Sequence, residues 1–435
     1  MDKNLLAASA ATLAMALTVA SCGNASDPKL SQTGQNPDLP KVNETLVPAM
    51  KISPPAGWNG ETPTVPQGFT VSAFATDLKI PRQMLVLPNG DVLVAEGRGG
   101  HAPPVRPKDV IAGFIKKQGN TKISGGDRIT LLRDADNDGV PELRAVLVDN
   151  LDAPYGLAYV EGYLYVAEQG ALTRFAFQPG QTGIATPPER VTALPSRVNH
   201  HWTKSLAVSA DGAKFYVGIG SNSNIGERGM ALEEERAVVW EIDRATGARR
   251  TIATGIRNPT ALAIEPTTGL LWSVVNERDE LGPQLVPDYL TQVRDGAFYG
   301  WPYSYWGQNV DPRVRPQKPD MVAKAVKPDY ALGSHVAALG LDFARSGGFG
   351  GPYADGAFIG MHGSWNRQDP SGYKVAWVPF SGGRPAGQPI DFATGFLKDG
   401  EARGRPVGVA FDPTKRILLV ADDLSNTVWR IAPSR

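Results

Sequence analysis

The chain has 435 residues, 42% of them hydrophobic, with 44 basic residues against 44 acidic ones. Such a balance leaves no basic footprint for nucleic acid or another polyanion, and the length exceeds an ordinary single domain unless the architecture is a closed all-β one. Gly (48) and Pro (36) are abundant, which fits many short strands joined by turns.

At the N-terminus, Lys3 precedes an apolar run over 5–20 that is too short to span a membrane comfortably. Val19-Ala20-Ser21-Cys22 follows and resembles the bacterial lipobox, whose cysteine is acylated. Cys22 is the only cysteine, so no disulfide forms within the chain. The expectation is a lipoprotein signal peptide over 1–21 and lipidation at Cys22, with an ordinary cleaved signal as the alternative. Gly23, rather than Asp, favours the outer membrane by resemblance to known lipoproteins. The chain is thus expected to be exported to the periplasmic side and to touch the membrane only through its lipid anchor. Residues 22–65 are polar and Pro-rich without a period and read as a tether whose last part packs on the domain.

From about residue 68 a unit recurs: an apolar stretch, a Gly/Asp/Pro turn and a second alternating stretch. It appears at MLVLPNGDVLVAEG (84–97), GLAYVEGYLYVAEQG (156–170), LAVSADGAKFYVGIG (206–220), ALAIEPTTGLLWSVVNE (261–277), GLDFARSGGFGGPYADGAFIGMHG (340–363) and VGVAFDPTKRILLVADD (407–423). Period-2 alternation around turn residues predicts six hairpins. Outer strands follow some of them, as at RITLLRD (128–134) and NTVWRIA (426–432). The repeat predicts an all-β, six-bladed β-propeller over 66–435, with 70–77 closing the ring by joining the last blade. No amphipathic helix of three turns is predicted; a short one is possible near 231–236. In such a fold the loops at one end of the channel build the site.

Several chemistries lack a signature. No HExxH, GxSxG or strand-borne GxGxxG is present. The blade openings instead carry Arg82, Arg257-Asn258 and Arg403-Gly404-Arg405, and guanidinium groups match carboxylates bidentately. His200-His201 stands on the loop before the third blade's inner strand; histidine is the commonest base near neutral pH.

NHHWTKSLAVSADGAKFYVGIGS (199–221), GIRNPTALAIEP (255–266), NERDELGP (276–283), FYGWPY (298–303), HGSWNR (362–367) and RGRPVGVAFDP (403–413) together resemble the pyrroloquinoline quinone (PQQ)-dependent sugar dehydrogenases, with the sorbosone dehydrogenase-like branch nearest. The resemblance covers residues 68–433. It implies oxidation of an aldose or a sorbosone-type sugar aldehyde with PQQ and Ca²⁺, and electron transfer to a separate cytochrome c or quinone. It implies His201 as the base that takes the sugar hydroxyl proton as hydride leaves, and Arg257 as the group that stabilises the developing oxyanion. His200 stands where relatives often carry Asp. The resemblance places Asn258, Arg403 and Arg405 on PQQ, with Arg82 added from its blade opening. Asn366 or Arg367 stands in for a lysine that relatives carry in the fifth-blade loop. Backbone carbonyls of Arg278 and Asp279 correspond to calcium ligands, and Asp288 with the Tyr299 backbone to a structural calcium site. Trp202 and Trp365 are candidate platforms for a sugar face; Trp301 reads as blade packing.

Asp134, Asp136, Asp138 and Gly139 spell the first half of an EF-hand loop, but position twelve is Ala145. The turn reads as acidic and tight, with metal binding left open. Two rival functions stay beside the dehydrogenase. One is a calcium-dependent propeller lactone hydrolase, which needs carboxylates and Asn converging on the channel. The other is a non-catalytic sugar- or cofactor-binding propeller.

Overall fold

The computed structural model describes residues 26–43, 50–100, 102–119 and 123–434. Cys22 and the lipobox lie outside them. Six sheets form the six blades of a propeller, antiparallel throughout except where Ala297–Phe298 adds in parallel to the outer strand of blade 3. Blade 1 runs through Pro81–Val86, Val92–Glu96, Arg128–Arg133 and Leu143–Val148; blade 2 begins at Gly156, blade 3 at Lys204, blade 4 at Pro259, blade 5 at Ala338 and blade 6 at Pro406. All six predicted hairpins form. The strand Phe69–Ala75 pairs antiparallel with Thr427–Pro433, so the first strand of the ring completes the last blade.

No single core exists. Six clusters of buried side chains each fill the space between two neighbouring blades. Trp272, for example, packs from blade 4 against Phe380 of blade 5. Near the axis the backbones come closer than side chains allow. A Cβ on Gly340 would lie 2.1 Å from the Val407 carbonyl oxygen of blade 6, and one on Gly408 2.3 Å from the Arg82 carbonyl oxygen of blade 1. The glycines of the GLDF and VGVAF segments therefore set the inter-blade spacing.

Two segments depart from the repeat. Residues 26–43 lie along blade 4, where Thr33–Gly34 pairs with Ala331–Leu332. Residues 50–65 cross blades 5 and 6, bridging Lys51 to Asn366, Pro55 to Ala402 and Thr64 to Thr394. The expected short helix is a 3₁₀ turn, Met230–Glu233. One three-turn helix, Pro107–Gln118, was not expected. It opens with Pro107 and a bidentate Arg106–Asp109 pair and ends on Lys116 and Lys117. Its apolar residues Val110, Ile111 and Phe114 are exposed, so it shows no core-facing stripe. Among the described residues no helix is long and apolar enough to cross a membrane.

Substituting Gly340→Ala forces an overpacked contact at the blade 5–6 boundary. The expected loss is about 2 kcal/mol or more, read as a lower urea midpoint at unchanged m-value.

Candidate active site

An antiparallel inner hairpin places the start of its first strand and the end of its second at the same channel mouth. His201 precedes Lys204–Val208, Arg257-Asn258 precede Pro259–Ile264, and Arg405 precedes Pro406–Asp412. Asn276, Glu277 and Asp279 follow Leu271–Val275, and His362 to Asn366 follow Gly356–Met361. These ends enclose a cavity of about 410 Å³ that also takes in Ile52, Lys116, Trp202, Asp288, His335 and Trp365.

His201 is held by its loop. Its Nδ1 lies 2.8 Å from the Ser221 carbonyl oxygen, which can only accept, so Nδ1 carries the proton and Nε2 keeps the lone pair. Lys204 and Arg236 hold the loop from beneath through the carbonyls of Trp202 and Gly220. Burial, then the charge of Arg257 and neighbouring His200, keeps the His201 imidazole well below its usual range. His200 stacks edge-on against it at 4.7 Å and is depressed to about 4, chiefly by burial. Ser221, not residue 200, orients the candidate base.

Arg257 is 2% exposed and donates to five acceptors: the Asn224 carbonyl and Oδ1, the carbonyls of Asn276 and Glu277, and Asp279 Oδ2. It gives the cavity a positive field rather than a free N–H. Trp301 donates to the same Asn224 carbonyl at 2.8 Å, so the YGWP segment buttresses this arrangement from behind. Asn366 gives both amide hydrogens away, to Asp279 Oδ1 at 2.7 Å and His335 Nδ1 at 3.1 Å. Its Oδ1 is buried without a donor, as are those of Asn258 and Asn276. Arg405 shows the converse: Nη2 donates to Tyr373 Oη at 3.1 Å while buried Nε has no acceptor.

The remaining candidates divide. Trp202, Trp365, Asp279 and Asp288 line the cavity. Arg82 pairs with Asp423 at 2.8 Å and, with Arg405 and Trp202, lines a small adjoining pocket. Arg403 lies elsewhere because it pairs bidentately with Glu61, at 2.6 and 3.0 Å, on the segment that crosses blade 6. Arg367 is turned to Ser26, Ser334 and Asp369, which leaves Asn366 as the fifth-blade contribution. The Arg278 side chain is buried against Asp311 at 2.7 Å. The Asp279 carbonyl already accepts from Asn224 and Arg278. The Asp288 carboxylate accepts from the backbone of Glu277 and Ala337, and Tyr299 lies in the packing between blades 3 and 4.

Five polar groups in the cavity were not among the expected site residues, one of them His335, whose Nδ1 accepts from Asn366. Lys116 arrives on the unpredicted helix, its Nζ 3.8 Å from the Trp365 ring centroid, and burial holds its ammonium below the lysine range. His362, in the HGSWNR motif, has Nε2 2.9 Å from Asp423. Asn276 and Glu277 stand in the NERDELGP segment, whose backbone alone was expected to matter. Burial pushes the Glu277 carboxyl up to about 7 and that of Asp288 to about 6.

A family model described as TrAA12-like matches residues 63–293 and 315–434, and the chain belongs to that family. The holo PQQ domain of pyranose dehydrogenase from Coprinopsis cinerea superposes with a TM-score of 0.68 at 20% identity, covering 85% of this chain and 97% of that one. A family AA12 carbohydrate-active enzyme from Trichoderma reesei gives 0.69 at 20% identity, covering 91% and 100%. The aldose sugar dehydrogenase of Escherichia coli is 32% identical over 108 residues, 24% of this chain and 28% of its own length. The chain spans 60% or less of the length of the curated relatives it matches.

The Glu277 value carries a testable sign. Between the ordinary Glu value of about 4.3 and pH 7 the folded chain binds the extra proton, so this group favours folding at low pH and the contribution is lost as pH rises through 7. Glu277→Gln, neutral throughout, should gain stability over wild type from pH 4 to 8, by on the order of 3 kcal/mol. Urea unfolding of the cofactor-free protein reads it; a difference that stays constant with pH refutes the assignment.

Proposed function

We propose that the chain oxidises an aldose, or a sorbosone-type sugar aldehyde in its hydrated form, with PQQ and Ca²⁺ bound in the channel-mouth cavity. Electrons would leave to a separate cytochrome c or quinone on the periplasmic side, with Cys22 as the lipid anchor. One observation carries the reading. The cavity joins a neutral histidine, a buried guanidinium N–H without an acceptor and three buried amide oxygens without donors. A planar polycarboxylate suits Lys116 and Arg405. A hard cation suits the amide oxygens of Asn258, Asn276 and Asn366 with the carboxylates of Glu277, Asp279 and Asp288. PQQ, when bound, supplies the two-electron acceptor. The printed description of the Coprinopsis cinerea structure as a holo PQQ domain supports that choice.

The chain's own residues then have definite tasks. His201 Nε2 takes the hydroxyl proton while the hydrogen on the same carbon departs with its electron pair. The Ser221 carbonyl keeps the imidazole in the tautomer that can accept, and its low pKa keeps it neutral at working pH. Arg257 stabilises negative charge developing on the sugar oxygen through its field, having no uncommitted N–H. Trp202 and Trp365 line the cavity, with Arg82 5.3 Å from the ring centroid of the first and Lys116 3.8 Å from that of the second, which leaves each at most one face for a sugar.

A second reading has a specific observation in its favour. Three carboxylates and three Asn side chains converge on the cavity, the donor set a calcium-dependent lactone hydrolase needs. PQQ binding separates the two. Purified protein with CaCl₂ and PQQ should bind the cofactor and reduce a dye with aldoses or sorbosone. In His201→Ala, reduction should fall by roughly 10²–10⁴ with PQQ binding retained. Lys116→Ala and Arg405→Ala should each weaken PQQ binding about tenfold or more, and Arg403→Ala should leave it within about twofold. Absence of PQQ binding, with lactone hydrolysis present, would replace the dehydrogenase by the hydrolase.

A further inference from the structure

The turn between the two outer strands of blade 1 carries Asp134, Asp136, Asp138 and Glu142. Each offers a carboxylate oxygen, and these oxygens all lie within 4.8 Å of one another. The spacing follows the opening of an EF-hand loop, with Gly139 at φ +95° in the sixth position. The acid that such loops carry at position twelve is Ala145 here. Glu142, at position nine, closes the cluster instead.

Asp134 marks this cluster as a site rather than an acidic surface. It is 3% exposed. Its Oδ2 accepts the Gly139 N–H at 3.2 Å, while its Oδ1 is buried with no donor. A buried anionic oxygen left bare is costly, and a cation is what the surrounding carboxylates would share with it. Two basic side chains reach the turn from blade 6 without bonding the Asp134 carboxylate, and the buried Nε of Arg430 has no acceptor. Lys415 Nζ donates to the Asp134 carbonyl at 2.8 Å, and Arg430 Nη2 to Asn137 Oδ1 at 3.3 Å.

We propose that this turn binds one Ca²⁺ through Asp134, Asp136, Asp138 and Glu142. Four carboxylates in one cluster suit calcium; magnesium keeps most of its waters and takes one or two carboxylates. EF-hand loops add the carbonyl at position seven, which is Val140 here. None of the four acids lines the channel-mouth cavity, so the site is independent of the catalytic calcium proposed above. Its place gives it a role. Lys415 and Arg430 belong to blade 6, so the turn spans the boundary at which the ring closes, and a bound cation braces blade 1 against blade 6.

The test uses the full chain, stripped with EDTA and titrated with CaCl₂ by calorimetry, beside Asp136→Asn/Asp138→Asn. Wild type should take up one more equivalent than the double variant. CaCl₂ should raise the wild-type Tm by at least about 2 °C more. Dye reduction at 25 °C with PQQ should be the same in both, which separates this ion from the one in the cavity. Equal stoichiometry and equal Tm shifts overturn the proposal, and an equal rise with MgCl₂ overturns the choice of calcium. If the double variant does not fold, Glu142→Gln serves in the same comparison. Crystals of wild type soaked in TbCl₃ then decide: an anomalous peak between the four carboxylates supports the site, and its absence rejects it.

Discussion

The Arg257 guanidinium fixes the geometry of the channel mouth. Its five donors reach the loop after the third blade's second strand, through Asn224, and the loop after the fourth blade's, through Asn276, Glu277 and Asp279. A buried charge of this kind persists only where every hydrogen bond is made, because leaving it or its acceptors unpaired costs several kcal/mol. The arrangement is therefore rigid, and it transmits order. Asp279, held by Arg257 on one oxygen, takes Asn366 on the other, and Asn366 in turn holds His335. Loops of blades 3, 4 and 5 are tied in one polar chain before any ligand enters.

The same positive charge sets the chemistry beside it. Arg257 and His200 both oppose protonation of His201, and burial opposes it more. A base kept neutral by its surroundings needs no carboxylate partner; it needs only a fixed tautomer, which the Ser221 carbonyl supplies. This accounts for a histidine at position 200, where an acid would have raised the pKa of its neighbour. The His362–Asp423–Arg82 group differs in having a carboxylate partner, yet burial still outweighs that partner and keeps the imidazole below its usual range.

Much of this was legible in the sequence and some could not be. The hairpins were, because an inner strand packed on both faces and flanked by turn residues leaves a strong local pattern. The ring closure was, because 70–77 alternates like a strand yet lacks a hairpin of its own. The helix carrying Lys116 was hidden. Its apolar residues point outward, so the periodicity that reveals helices was absent, though Pro107, Asp109 and the paired lysines were proper end signals. Arg403 and Arg405 look equivalent in the sequence. They part company because Glu61, 342 residues away, captures the first. Asn276 and Glu277 were visible as residues, but nothing local shows that a segment leaving a strand turns its side chains into a cavity.

The count of unmatched groups bears on whether the proposed cofactor and cation act singly or together. PQQ alone would engage Arg405 Nε and Lys116, but its single pyrrole N–H cannot serve the amide oxygens of Asn258, Asn276 and Asn366, and its carboxylates would add negative charge beside Glu277 and Asp288. A cation alone would satisfy those oxygens and favour the ionised form of the two carboxyls that burial opposes, yet it would leave Arg405 Nε bare and crowd three more positive groups. Each ligand repairs what the other would worsen. On this argument the cavity favours the pair over either component, with binding of one strengthening binding of the other, and the neutral His201 in the same cavity adds no charge that either would oppose.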